Sequence, residues 1–296
     1  SRAIAALAQR GLIKQVQDTK DGRMRRLTIL KKGSNAYASA VEVVQGLDKG
    51  VNLASYIPLC YHQGPQNVML YEEPEVAVVQ VTPMDAHGFF NFSTSCSLTP
   101  AYLRKARKVL VEVNVRAPRC LGGLDEGIHI SQVDGVIEGP NNPLLQLPAT
   151  QAGAADTAIA GYVMGLLEDG ATIQLGIGAL PNIVGALIAQ SDLKDLGVHT
   201  EMLADSYVDM YEAGRITGRY KALDRGKMVY TFALGSQKLY DFLHNNPATA
   251  IYPASYTNDP AMIGCNPKVV AINNAIEIDL FSQVSSESTG TRQISG

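Results

Sequence analysis

At 296 residues the chain is long enough for about two domains of roughly 150 residues each. Its residues are 46% hydrophobic and 18% charged, which supplies a sizeable core and excludes a disordered chain. No apolar run reaches about 18 residues, which excludes a transmembrane helix, and the net charge of −3 is too mild to impose a partner by itself.

That charge is the sum of two unlike parts. Residues 1–34 carry nine Lys/Arg against two Asp/Glu, and residues 35–296 carry 16 against 26. A balance of +7 beside one of −10 points to a polyanion-facing head on an acidic body. The start, Ser1-Arg2-Ala3, is neither an initiator Met nor a signal peptide, and is expected to be the inside of a longer chain. From Ser1 to Arg10 the residues Ile4, Ala5, Leu7 and Ala8 form one helical stripe, stopped by Gly11. Leu12-Ile13 reads as extended, Asp21-Gly22 as a hairpin turn, and Met24 to Leu30 as the return strand. The words SRAIAALAQRGLI and DTKDGRMRRLTILKKG resemble the recognition helix and wing of the multiple antibiotic resistance regulators, a winged-helix family. The resemblance implies DNA contacts from Ser1 and Arg2 on the helix, and from Arg23, Arg25 and Arg26 on the wing. A solvated basic hairpin without DNA function is the plainer alternative.

The acidic body reads as α/β. Val76 to Val81 is a nearly unbroken apolar run, as expected of a strand buried on both faces. Thr99-Pro100 opens a helix as its N-cap and first residue, running through Arg107, and Val109 to Val113 is the next strand. A long Ala-rich helix over Ala152 to Leu167 ends at Asp169-Gly170. Ala171 to Leu175 is then a strand, and Pro181 opens a helix to Gln190. Lys227 to Leu234 and Val269 to Leu280 are further β-rich runs, separated by a helix over Lys238 to His244. Alternation of this kind predicts open parallel sheets with helices on both faces, and ligands at the C-terminal ends of the strands. The cysteines Cys60, Cys96, Cys120 and Cys265 show no C-x-x-C and no His at ligand spacing. They are expected as free thiols in a reducing, cytoplasmic compartment, with no metal site.

Three loops follow predicted strands. Gly176 to Asn182 (GIGALPN) leads into a helix N-terminus, where glycines let backbone N–H groups approach an anion; it lacks the Lys of a P-loop and the third glycine of a dinucleotide fingerprint. A structural turn explains it equally well. Glu201 ends another strand-like stretch, where a glutamate facing a glycine loop is a candidate nucleophile or base. Gly235-Ser236 is a third loop of the same kind. Asp85 and His87, in TPMDAHG, have no Ser or Cys partner at a defined spacing and read as a structural turn.

The words QVTPMDAHGFFNFS, VLVEVNVRAPR, GIHISQVDGVIEG, LEDGATIQLGIGALPNIV, LGVHTEMLADSYVDMYEAG, MVYTFALGSQKLYDFLHNN and AINNAIEIDLFSQVSSESTGTRQISG occur in order. Together, over about residues 55–296, they resemble the acetyl-CoA hydrolase/transferase family, which includes butyryl-CoA:acetate and 4-hydroxybutyrate CoA-transferases. The resemblance implies a glutamyl-CoA ping-pong reaction with Glu201 as nucleophile. It implies that Gly176, Ile177, Gly178 and Ala179 line the CoA and oxyanion region. Asn182, at the end of that loop, and Gly235 and Ser236, in the third loop, are further candidates for the same binding. Coenzyme A is then a substrate and no cofactor is needed. The partners implied are acyl-CoA, a short carboxylate acid and a homo-oligomer, with no membrane.

The expected organisation is a partial winged helix over 1–43, the C-terminal part of the first transferase domain over 44–150, and an incomplete second transferase domain over 151–296. Set against the family pattern, about a hundred further residues would be expected ahead of the segment matching YIPL, where the winged-helix words stand, and a G-G-Q loop would be expected after ISG. The chain also carries Ser282 and Ser206 where glycines are usual. Acyl-CoA hydrolase by the same glutamate, a DNA-binding regulator and an inactive fusion remnant are the alternatives.

Overall fold

The computed structural model describes residues 13–17, 25–29, 57–147, 153–176, 178–290 and 292–293. The helix expected over Ser1–Arg10, with Arg2, and the Asp21-Gly22 turn, with Arg23, lie outside the described residues. The chain divides into two compact units.

The first unit contains residues up to Ser93, Leu98–Ala117 and Gly127–Leu144. Its sheet has the order β1-β2-β7-β5-β3, with β1 (Ile13–Gln17), β2 (Arg25–Ile29), β3 (Ala77–Val81), β5 (Val109–Val113) and β7 (Gly135–Glu138). The first two strands form the expected antiparallel hairpin, Ile13 opposite Ile29. That hairpin continues into the sheet, because β2 runs parallel to β7 with Arg26 opposite Val136. Strand β5, expected as a strand, is flanked on both sides, and its Val109, Leu110 and Val111 are buried. Strand β3 differs from expectation. It is the last strand in the order, it alternates instead of being buried on both faces, and Val78 is 58% exposed. Its buried face joins Val81 to Phe90, Phe92, Leu103, Ile128 and Val136 in one core.

Helix α1 (Gly64–Tyr71) packs on α2 (Thr99–Lys105). Leu98, rather than Thr99, is the N-cap of α2, and Pro100 falls in its first turn, where its missing N–H costs nothing. The TPMDAHG loop is a turn, as expected. Asp85 Oδ1 accepts from the N–H groups of His87 and Phe89, each at 2.9 Å, and starts β4 (Phe89–Asn91), which pairs with β6 (Gly127–His129).

The second unit contains Thr94–Ser97, Pro118–Glu126 and the chain from Leu145 onward. Its sheet is parallel throughout, in the order β13-β11-β9-β8-β14. The strands are β8 (Thr172–Leu175), β9 (Gly197–His199), β11 (Met228–Tyr230), β13 (Thr249–Ile251) and β14 (Val269–Ile272). The first four step outward in one direction, and β14 returns to the far side of β8. The strand order therefore reverses between β8 and β14, and a crevice forms there at the carboxyl ends of the strands. Strand β13 was not expected from sequence: three residues between Pro247 and Pro253 are too few to show a period. The run expected over Val269 to Leu280 breaks after Ile272, and Glu277–Ile278 instead pairs antiparallel with Val284–Ser285.

Helix α3 (Ala154–Met164) packs on α4 (Ala179–Gln190), which packs on α5 (Asp205–Glu212). Helix α4 begins two residues before the expected Pro181. The four cysteines are free thiols. Among the described residues no helix is long and apolar enough to cross a membrane.

Candidate functional site

At the carboxyl ends of β8, β9 and β14 lies a cleft of about 380 Å³. Its polar wall is Gln174, His199, Glu201, Thr257, Asn258 and Asn273, and Met202, Ile263, Val269 and Ala271 supply apolar surface.

Glu201 is placed by its backbone. Its carbonyl accepts from the N–H groups of Thr231, at 3.0 Å, and Phe232, at 3.2 Å. The next two residues form β10 (Met202–Leu203), parallel to β12 (Phe232–Ala233). The carboxylate is thus held at the step between two short parallel pairings, with its side chain half-buried. Asn258 Nδ2 donates to Glu201 Oε2 at 2.6 Å. That bond fixes the direction in which the Glu201 carboxylate faces the cleft.

His199 is 4% exposed. Its Nε2 lies 2.8 Å from the Thr257 carbonyl, which can only accept, so Nε2 carries the proton. Nδ1 then accepts from Asn266 Nδ2 at 3.4 Å. Burial pulls the His199 pKa below the ordinary histidine value, against the upward pull of the Thr257 carbonyl. These two bonds fix the imidazole between Thr257 and Asn266 in the wall of the cleft.

Across the cleft, Gln174 and Asn273 exchange two amide hydrogen bonds, at 3.0 and 2.9 Å. They tie the ends of β8 and β14 together. A Cβ on Gly176 would lie 2.9 Å from Asn273 Oδ1, so glycine is what lets β14 close here. Tyr207 OH accepts from the Leu175 N–H at 2.7 Å, and its complete burial pushes the phenol up to about 12.

The cleft brings together two of the residues singled out from sequence, Gly176 and Glu201. The Gly176 N–H is committed to the Ile272 carbonyl at 2.9 Å, so its contribution is space rather than a donor. Ile177 lies outside the described residues. Gly178 caps α4 with φ +121°, Ala179 begins that helix and Asn182 lies in its first turn; none of the three lines the cleft. Gly235 and Ser236 are also not in it. The Ser236 N–H and hydroxyl both donate to Asp205, at 2.9 and 2.6 Å, and join the start of α5 to α6 (Gln237–Leu243). Arg25 and Arg26 lie on β2. His199, Asn258, Gln174 and Asn273 were not foreseen. The one local signal was a polar Gln inside the apolar strand TIQL.

An open parallel sheet with a cleft at the carboxyl ends of its strands, beside the reversal of strand order, is the arrangement of an α/β ligand-binding domain. Residues 29–148 match the acetyl-CoA hydrolase/transferase N-terminal domain and residues 235–296 the C-terminal domain of the same family. The chain belongs to the acetyl-CoA hydrolase/transferase family.

It is 49% identical over 243 residues to the butyryl-CoA:acetate CoA-transferase of Anaerostipes caccae, covering 81% of this chain and 54% of that one. It is 40% identical over 247 residues to the 4-hydroxybutyrate coenzyme A transferase of Clostridium kluyveri, covering 82% and 56%. The crystal structure of RipA from Yersinia pestis superposes with a TM-score of 0.77 at 37% identity, covering 84% of this chain and 57% of that one. An acetyl-CoA hydrolase of Neurospora crassa is more distant, 23% identical over 260 residues and covering 75% and 48%. The chain spans about half the length of the curated relatives it matches.

Proposed function

We propose that the protein is a CoA-transferase that moves coenzyme A between a short-chain acyl-CoA and a carboxylate acceptor of the acetate, butyrate or 4-hydroxybutyrate type. The observation that carries this reading is the Glu201 carboxylate in the switch-point cleft, held by the Asn258 amide. The ionised Glu201 attacks the thioester carbonyl and expels CoA thiolate, giving an acyl-glutamyl anhydride. The thiolate attacks the glutamyl carbonyl and releases the acyl group as its carboxylate, leaving a glutamyl-CoA thioester. The acceptor carboxylate attacks that thioester and expels the thiolate, which takes the new acyl group from the anhydride and restores Glu201.

Each nucleophile and each leaving group is an anion, so no step needs a proton to move. What the reaction needs is stabilisation of the tetrahedral oxyanions, and amide donors suit that task. Asn258 and Asn273 supply side-chain amides in the cleft, and we assign the loop from Gly176 through Asn182 to the CoA side of the site. Gly235 and Ser236 support the helix starts around it. A homo-oligomer is the expected assembly.

The test is intact-mass analysis after incubation with butyryl-CoA. A CoA adduct that maps to Glu201, is absent from Glu201→Gln and is discharged by acetate supports the transferase. Discharge by water at the same rate without acetate would make the protein a hydrolase, and no adduct on the folded chain would overturn both readings. Binding of DNA by the basic head is a separate proposal, motivated by the β1–β2 hairpin and its Arg25 and Arg26. Duplex binding that weakens with salt and with Arg25→Ala and Arg26→Ala supports it; undetectable binding removes it.

A further inference from the structure

The partner of Glu201 sits just past the end of a very short helix. Helix α7 (Ala254–Thr257) has four residues, too few backbone bonds to fix its own position, and Asn258 is its C-cap. Side chains hold it instead. Tyr256 OH donates to Asp224 Oδ2 at 2.8 Å, and Tyr252 OH donates to Asp224 Oδ1 at 3.0 Å. The two rings meet edge to face with centroids 4.9 Å apart, and the Thr257 carbonyl takes the His199 Nε2–H.

Asp224 is in turn held firmly. Its φ is +50°, a left-handed conformation unusual for a residue with a side chain. Its carbonyl accepts from the Lys227 N–H at 3.0 Å. Three residues before it, Lys221 is 1% exposed and donates its ammonium to the Val198 and Lys227 carbonyls, each at 2.9 Å. Val198 belongs to β9, the strand that leads to Glu201. One turn is therefore anchored on the strand that carries the carboxylate and also grips the helix that carries its amide partner.

We propose that Asp224 is a positioning residue for this reaction: through Tyr256 and Tyr252 its carboxylate sets where Asn258 meets Glu201. The proposal rests on the reading of Glu201 as the nucleophile. Asp224→Asn keeps the volume and removes one acceptor, and Tyr256→Phe removes the matching donor.

The test follows formation of the Glu201–CoA adduct at saturating butyryl-CoA in wild type, Asp224→Asn, Tyr256→Phe, Asn258→Ala and the Asp224→Asn/Asn258→Ala double variant. Each clamp variant is expected to slow the adduct about tenfold while half-saturation stays within about twofold. Adding Asp224→Asn to Asn258→Ala is expected to change nothing further, because the clamp acts through that amide. Wild-type rates in the single variants, or a full multiplicative loss in the double, would overturn the proposal. Should Asp224→Asn not fold, Tyr256→Phe carries the same comparison against Asn258→Ala. If wild type itself forms no adduct, the Glu201 reading fails, and backbone hydrogen exchange over residues 254–258 decides the clamp. Faster exchange in Tyr256→Phe keeps it and unchanged exchange removes it.

Discussion

Asn258 Nδ2 meets Glu201 Oε2 at 2.6 Å, joining residues 57 apart in sequence across the carboxyl edge of one sheet. Replacing Asn258 with Ala removes the bond that orients the Glu201 carboxylate in the cleft. Because a misplaced nucleophile can lose about 100-fold in rate, adduct formation on Glu201 is expected to slow by about 10- to 100-fold. Stopped mixing with butyryl-CoA followed by mass analysis measures it; an unchanged rate would show that the bond does nothing for the nucleophile.

His199 makes the stability of the second unit sensitive to acid. Burial holds its folded pKa below the ordinary 6.5. Above that value the ring is neutral in both states and its titration adds nothing. As pH falls through 6.5 the unfolded chain takes the proton first, and stability declines until the depressed folded pKa is reached. Urea midpoints of wild type are expected to fall between pH 7.5 and 5.5 by more than those of His199→Gln, whose side chain does not titrate. Equal shifts would exclude His199 as the cause.

Helices α4 and α5 touch at Gly185 and Ser206, where a Cβ on Gly185 would lie 2.5 Å from Ser206 Cβ. Gly185→Ala forces the helices apart and is expected to destabilise by about 1–3 kcal/mol, despite the better helix propensity of alanine. Ser206→Gly in the same chain is expected to recover part of the loss. Thermal melts of the two single variants and the pair test this, and strict additivity would refute a direct contact.

Ser282 has φ +65°, in the left-handed region. The turn around it is built by Asp279, whose Oδ1 accepts from the N–H groups of Phe281, at 2.8 Å, and Gln283, at 2.9 Å. Ser282→Gly relieves a backbone cost of about 1–2 kcal/mol and loses roughly half of that to the greater freedom of the unfolded chain. A net gain of about 0.5 kcal/mol is expected in urea unfolding, and a loss would mean the serine hydroxyl holds the turn.

Patterns that repeat within a few residues were legible in the sequence. Val109–Val113 and Thr172–Leu175 are legible as strands because short, mostly apolar and β-branched segments flanked by turn residues favour that state. The Asp85 turn follows from a side chain acting on its own neighbours, and the antiparallel pairing of β1 with β2 agrees with the Asp21-Gly22 signal in the sequence. Glu201 was legible too, as a carboxylate closing an apolar strand beside a glycine loop, and the family words agree. Tertiary structure alone decided the rest. That β3 is the last strand of its sheet, and so leaves Val78 exposed, depends on which strands lie beside it. Gly176 provides room instead of a donor because β14 folds back to claim its N–H. Asn258, His199 and Asp224 come from three segments with no common motif, and they are joined only by contacts made across the fold, His199 to the Thr257 carbonyl and Asp224 to Tyr256. Sequence fixes what each side chain can do; distance across the fold fixes what it is near.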